Sequence, residues 1–344
     1  MASVDGNSNT GSPISRLWRR VRMNSTLAWG CEISPSGVTV ARWNGGSTGP
    51  GTTAWRSLSP GAIEVSPVRE NLLRPDEVRQ ALTGCLEALG RAGSAQSSPH
   101  AVDIALVIPD QAARVFFLSF DQFPSQPAQA IPLIRWKLKK SVPFDIDTST
   151  VSFVARRSAT EWEVLAVVSP AAIVQQYESL PESMGLKPRF VTLSTLGSLG
   201  LVPSLGDTSG AEPAATSYLL AKYSPPWLTT SILHEGSVRL FRTVPIGSNG
   251  GAGPSADALR EILEAVHPSV AYYQDNFGRP LERAYLCGLG ELSGVVADSL
   301  SNELNLQTRH LLQESAPDVS GMDPPLAERN LAALMGISRM RRRV

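Results

Sequence analysis

The sequence predicts an α/β protein of two related halves, with a small α+β unit set into the first half. Residues 27–42 and 217–247 each read as short strands in a meander, joined by tight turns such as Ser-Pro-Ser-Gly after Ile33 and Glu235-Gly236. A helix and a further strand follow each meander. Between them, residues 101–185 carry their own pairs of adjacent strands, and the weak duplication around them implies two halves facing each other across a cleft.

The elements follow in order. Residues 1–26 are polar and have too few apolar side chains to fold alone, so they read as a disordered basic tail. Arg16, Arg19, Arg20 and Arg22 around Leu17, Trp18 and Val21 suit an anionic membrane surface or a partner, beside the plainer reading of an incidental basic tail. Residues 27–100 and 186–202 form the first half: strand, turn, strand, a glycine-rich loop, a strand near Ala54–Arg56, then a helix. That helix places Val78, Leu82, Cys85, Leu86 and Leu89 on one face, with Pro75 near its start and Gly93 past its end. Residues 101–185 read as the inserted subdomain, with strands "DIALVIP" and "ARVFFLSF", helix "PAQAIPLIRWKLKKSV", strands "TVSFVARR" and "EWEVLAVVS", and a second helix. Composition makes 203–216 a linker. The second half, 217–323, contains a long helix that Pro268 should kink or divide. Residues 324–344 are a core helix plus a basic tail containing Arg339, Arg341, Arg342 and Arg343, with membrane contact as a weak supplement.

Composition narrows the function classes. The chain has 344 residues and 42% hydrophobic content, enough to bury a sizeable core. Lysine plus arginine balance aspartate plus glutamate at 31 each, so no overall field favours nucleic acid. Cys31, Cys85 and Cys287 lack a CxxC pair, which argues against a zinc site or disulfide framework and for a reducing, cytoplasmic setting. His100, His234, His267 and His310 lack metal-ligand spacing. Neither a GxSxG elbow nor a Walker A loop is present.

Four stretches stand out: "IRWKLKKSVPFDID", "LAVVSPAAIVQQYESLPESMGLKPRFVTLSTLGSLGL", "HEGSVRLFRTVPIG" and "AYLCGLGELSGVVADSLSNELNL". They resemble PilM, the cytoplasmic type IV pilus assembly protein, and the related cytoplasmic domains of type II secretion proteins, a resemblance that implies a return of the 324–344 helix to the first half. The resemblance implies the actin-like fold, a duplicated ribonuclease H-like architecture with the small subdomain in its first half, as in the FtsA and PilM group. It also implies a cleft in which hairpin turns clasp phosphates while carboxylates orient Mg²⁺. The implied nucleotide positions are Glu32, Ser34, Ser36, Gly37 and Thr39 on the first hairpin, Gly247, and Gly288 and Gly290 in "CGLGELSG". Several depart from the family pattern. Glu32 stands for the usual aspartate, Ser34 for glycine and Leu289 for glycine, while an expected Asp-x-Gly turn reads Lys222, Tyr223, Ser224 before Pro225, Pro226 and Trp227. Two prolines remove backbone donors, and Trp227 adds bulk. The expectation is a vestigial site with no cofactor and no catalytic residues; bound ATP with Mg²⁺, an actin-like ATPase and a nucleotide-dependent membrane filament remain the alternatives.

Function then falls to the inserted unit. Lys137, Lys139 and Lys140, three of five lysines, cluster with Arg135, either as a solvated helix face or as a docking surface. The resemblance implies that the cytoplasmic N-terminal peptide of a PilN-type bitopic inner-membrane protein docks between the inserted unit and the first half, tying the chain to the membrane's inner face. The pilus motor ATPase is a further partner in that scheme. Candidate contacts are Val142, Pro143, Phe144, Phe190 and Leu193, with Phe144 alternatively an ordinary core aromatic.

Overall fold

The computed structural model describes residues 27–43, 51–91, 102–202, 217–247, 256–312 and 323–341. The basic tail, most of the glycine-rich loop, the linker 203–216 and the last arginines read from the sequence lie outside the described residues. Strands β1 (Trp29–Ser34) and β2 (Gly37–Arg42) form a hairpin, and β3 (Thr52–Ser57) adds to β2. Helix α1 (Pro75–Ala88) starts on a proline, carries Asp76 and Glu77 in its first turn and buries Val78, Leu82 and Cys85. Then come β4 (Val102–Ile108), β5 (Arg114–Phe120), α2 (Pro127–Leu138), β6 (Ser149–Arg157), β7 (Trp162–Pro170), α3 (Ala171–Glu182), β8 (Leu186–Leu193) and the short α4 (Ser194–Ser198).

The second half runs β9 (Ser217–Ser224), β10 (Trp227–His234), β11 (Ser237–Pro245), α5 (Ala256–Phe277), β12 (Arg283–Cys287), α6 (Leu292–Leu304) and β13 (Gln307–His310). Glu235 and Gly236 both have positive φ, 49° and 71°, as the tight turn between β10 and β11 requires. Helix α7 (Pro324–Arg341) closes the described chain and packs against α4 and β1.

The duplication is explicit in the sheets. One has the order β3-β2-β1-β4-β8 and the other β11-β10-β9-β12-β13, each an antiparallel meander whose first strand is followed by two parallel strands. A separate three-stranded sheet has the order β5-β7-β6 and packs on α2 through Leu118, Ile134, Leu138, Val164 and Ala166.

Two expectations are corrected. Strand β4, assigned from sequence to the inserted unit, lies between β1 and β8 in the first large sheet, and α3 packs its Ile173, Tyr177 and Leu180 into the first half's core. The reason is burial on both faces: Ile104 through Ile108 are all buried, the signature of a central parallel strand rather than of a half-exposed hairpin. Pro268 also does not divide α5, which runs through it as one helix of 22 residues. Near the turn that the proline loosens, Arg242 Nη1 donates to the Ala265 carbonyl at 3.0 Å.

Candidate functional site

The two meanders bring equivalent positions of β1 and β9 face to face. Glu32 pairs with Thr39 across the first hairpin, and Lys222 pairs with Thr229 across the second, each two residues before its strand ends. Both side chains are buried, at 3% and 1% exposure. Lys222 Nζ donates to Ser194 Oγ at 2.5 Å and to Ser198 Oγ at 3.1 Å, and lies 4.0 Å from Glu32 Oε1. Ser194 Oγ in turn donates to Glu32 Oε1 at 2.5 Å. Glu32 Oε2 is buried with no hydrogen-bond partner. Burial pushes the Glu32 carboxyl up to about 7; Lys222 and Ser194 pull it down, and Asp110 adds to the rise.

A second link joins the halves nearby. Asp110, just beyond β4, accepts from the Thr195 backbone N–H at 2.9 Å, from Thr195 Oγ1 at 2.5 Å and from Thr229 Oγ1 of the second half at 3.0 Å. Sequence reasoning missed Asp110. Its signal was a carboxylate just past the carboxyl end of a strand whose last five residues, Ile104 to Ile108, are all apolar.

Several of the other implied nucleotide positions are bonded to the chain itself. Ser34 Oγ donates to Asn330 Oδ1 of α7 at 3.1 Å and to the Gly37 carbonyl at 3.0 Å, while Asn330 Nδ2 donates to Ser36 Oγ at 3.3 Å. Thr39 Oγ1 is buried and has no partner. Gly288 N–H donates to Glu328 Oε2 at 2.6 Å, and Gly247 N–H to Glu261 Oε2 at 2.5 Å. Gly288, at φ 74°, has no room for a side chain: a Cβ would lie 2.2 Å from Arg329 Cγ. Gly290 faces Pro325. A metal-bound triphosphate needs carboxylates open to the metal and backbone donors open to oxygen. Here the carboxylate is enclosed with an ammonium, the two glycine N–H groups already donate to glutamates, and the second turn is Pro225-Pro226, which has no N–H to give. These residues do not fit that group, and among the described residues no His, Cys, Asp and Glu cluster with metal-binding geometry is present.

Beside the inserted sheet lies a different kind of site. A groove of about 310 Å³ runs between β6 and β7 on one side and β8 with α4 on the other; Ile131, Val151, Val167, Val174, Phe190 and Leu193 form much of its apolar wall. Strands β6 and β8 are each the terminal strand of their sheet. Two residues singled out from sequence, Phe190 and Leu193, thus line this groove. The remaining six, Val142, Pro143, Phe144, Lys137, Lys139 and Lys140, do not. Val142 and Phe144 pack partly buried on the core of the inserted unit, and Pro143 is exposed beside them. The Lys137 ammonium donates to the Ser119 carbonyl and sits 4.4 Å from the Phe120 ring centroid. Lys139 makes an exposed ion pair with Asp147 at 3.8 Å, and Lys140 is exposed. The C-terminal basic segment differs too: Arg339 belongs to α7 and donates to the Leu201 carbonyl at 3.1 Å.

No family model matches the chain, and no curated protein does. Solved structures do match. A chain of the PilM-PilN type IV pilus biogenesis complex aligns with a TM-score of 0.67 at 14% identity, covering 93% of this chain and 99% of that one. The cytoplasmic domain of EpsL, an inner-membrane component of the Vibrio cholerae type II secretion system, aligns at 0.45 with 8% identity over 89% of this chain and 94% of its own. A Bacteroides thetaiotaomicron protein of actin-like ATPase fold and unknown function gives 0.43 and 10% over 90% and 96%. The fold is the actin-like one expected from the sequence, in the arrangement seen in the pilus complex.

Proposed function

We propose that this actin-like chain is a cytoplasmic scaffold of a type IV pilus or type II secretion-like assembly platform at the inner face of the inner membrane. It holds the N-terminal cytoplasmic segment of a PilN-type bitopic membrane protein, and its interhalf cleft does not turn over nucleotide. The observation that carries this reading is the apolar groove between β6 and β8. Terminal strands present unpaired N–H and C=O groups, which give an extended peptide backbone partners, and an apolar wall gives its alternate side chains a place to bury. The fold shared with a chain of the PilM-PilN complex supports the choice of partner. The closed ion pair at Glu32 and Lys222 supports the silent cleft.

The test uses the N-terminal cytoplasmic peptide of a PilN-type bitopic membrane protein. It should raise the melting temperature of the full chain, since a ligand selective for the folded state must. Ile131→Glu or Val174→Glu, at partly exposed positions of the groove wall, should remove that shift without lowering the melting temperature of the free protein by more than a few degrees. Calorimetry with Mg-ATP should give no heat. Micromolar Mg-ATP binding with steady phosphate release would replace the scaffold by an enzyme.

A further inference from the structure

The three-stranded sheet has a second face. Leu118, Val164 and Ala166 turn to α2, so the residues between them turn the other way. On that other face, register sets Phe117, Leu165 and Val154 in one cross-strand row and Ser119, Glu163 and Arg156 in the next. Toward Thr150 this face covers the apolar groove already described. Toward Arg156 it covers a second groove of about 480 Å³, whose opposite wall is Ser237 and Arg239 of β11 with Tyr272 and Phe277 of α5. Val154 and Leu165 line both grooves, which makes them two stretches of one trench crossing from the first half to the second.

The chemistry changes along it. In the second stretch Glu163 Oε2 accepts from Arg156 Nε at 3.0 Å and Nη2 at 2.8 Å, and meets Arg239 Nη1 at 2.6 Å. Two guanidinium groups therefore share one carboxylate oxygen. Glu161 stands on the same wall, so formal charge balances; the hydrogen bonding does not. Arg239 Nε and Ser237 Oγ are buried there without a partner. Unpaired buried donors are costly, and a guanidinium edge matches the two oxygens of a carboxylate.

We propose that the second groove is a subsite for a carboxylate-bearing stretch of the extended polypeptide whose apolar stretch lies in the first, a proposal that rests on the peptide reading of that first groove. The rows at Val154 and Arg156 are two residues apart, roughly 7 Å along the strand, so the acidic side chain lies within two or three positions of the nearest buried apolar one, in either chain direction.

The experiment uses three synthetic 12-residue peptides, each prepared in both orders. All share a half of alternating Leu and Ser; the other half alternates Ser with Glu, Gln or Lys. Fluorescence anisotropy on the full chain should show the Glu peptide binding about tenfold or more tighter than the Gln peptide, and the Lys peptide weaker than both. Arg239→Gln and, separately, Ser237→Ala should reduce the Glu-over-Gln ratio while leaving the Gln peptide's affinity unchanged. A short acetylated Glu-Ser-Glu peptide should shift the Arg239 Nε–H resonance in the wild type and equally in Ile131→Glu. Equal binding of Glu and Gln peptides with no shift at Arg239 overturns the subsite. Failure of all three long peptides, with the Arg239 shift intact, sinks the apolar-groove reading and leaves the carboxylate subsite standing.

Discussion

Replacing Lys222 by methionine keeps most of the buried stem and removes one charge. The ammonium lies 4.0 Å from Glu32 Oε1 and donates to Ser194 and Ser198. At an effective dielectric of 20, two unit charges at that distance attract by about 4 kcal/mol. Removing one partner of a buried pair costs about 3–5 kcal/mol, because the other charge stays enclosed. At pH 8 the wild-type Glu32 carboxyl is mostly ionised, since its pKa is about 7, but a carboxyl left without the ammonium takes up a proton, which holds the extra loss to about 1.4 kcal/mol and the total for Lys222→Met to about 2–3 kcal/mol. At pH 5 Glu32 carries a proton and the ammonium has only hydroxyl partners, so the loss should shrink to about 1–2 kcal/mol, the worth of those hydrogen bonds. Urea unfolding at both pH values, followed by two probes, measures the difference. Glu32→Gln with Lys222→Met completes a cycle whose coupling at pH 8 should exceed about 1 kcal/mol. A cost below about 1 kcal/mol at pH 8, or the same cost at both pH values, would refute the pairing.

Two further predictions concern the same core. A carboxyl whose pKa rises on folding, as at Glu32, stabilises the native state fully below the unfolded value near 4.5 and loses that contribution as pH climbs through about 7. Wild type minus Glu32→Gln should therefore fall by on the order of 3 kcal/mol between pH 4 and pH 8 in denaturant titrations; a flat difference would contradict a carboxyl raised by burial. Gly336 lets α7 cross the segment after β8 at backbone distance: a Cβ there would lie 2.1 Å from the Gly197 carbonyl oxygen, and one at Gly200 would lie 2.3 Å from the Gly336 carbonyl oxygen. Gly336→Ala should cost about 1–3 kcal/mol in unfolding free energy. Unchanged stability would mean that α7 can shift outward freely.

The repeated sheet order was legible because each meander has short strands of β-prone residues bounded by turn residues, and because α1 has one apolar face. The place of β4 was not, since a run buried on both faces carries no alternation to show which sheet owns it. At the site, Phe190 and Leu193 were found because the resemblance fixed a junction and they lie on the strand beside it. Val142 and Phe144 pack instead on the inserted unit's own core. The pairing of Glu32 with Lys222 joins residues far apart in the chain, and a lone lysine inside a strand has no periodic signature. Only aligning Ser34 with Ser224 as equivalent strand ends would have set the two side by side. Gly200 and Gly336 gave a local sign, glycine where a helix would favour alanine, but not which backbone approached.

The cleft and the trench are mechanically connected. The apolar groove takes its inner wall from β8 and α4 of the first half, whereas the polar one takes its wall from β11 and α5 of the second. Their alignment under one sheet face therefore depends on how the halves are set, and the polar links described above that reach the second half include Lys222 to Ser194, Ser198 and Glu32, Thr229 to Asp110, and Arg239 to Glu163 of the inserted sheet. A mobile cleft would leave the trench continuous only part of the time, and the apparent affinity of a ligand spanning it would fall with that fraction. Lys222→Met should accordingly weaken the long apolar-acidic peptide by several-fold while leaving a peptide confined to the apolar half unchanged. Equal weakening of both would show that the substitution distorts the first half itself, and no weakening of either would show that the halves keep their setting without the buried ammonium.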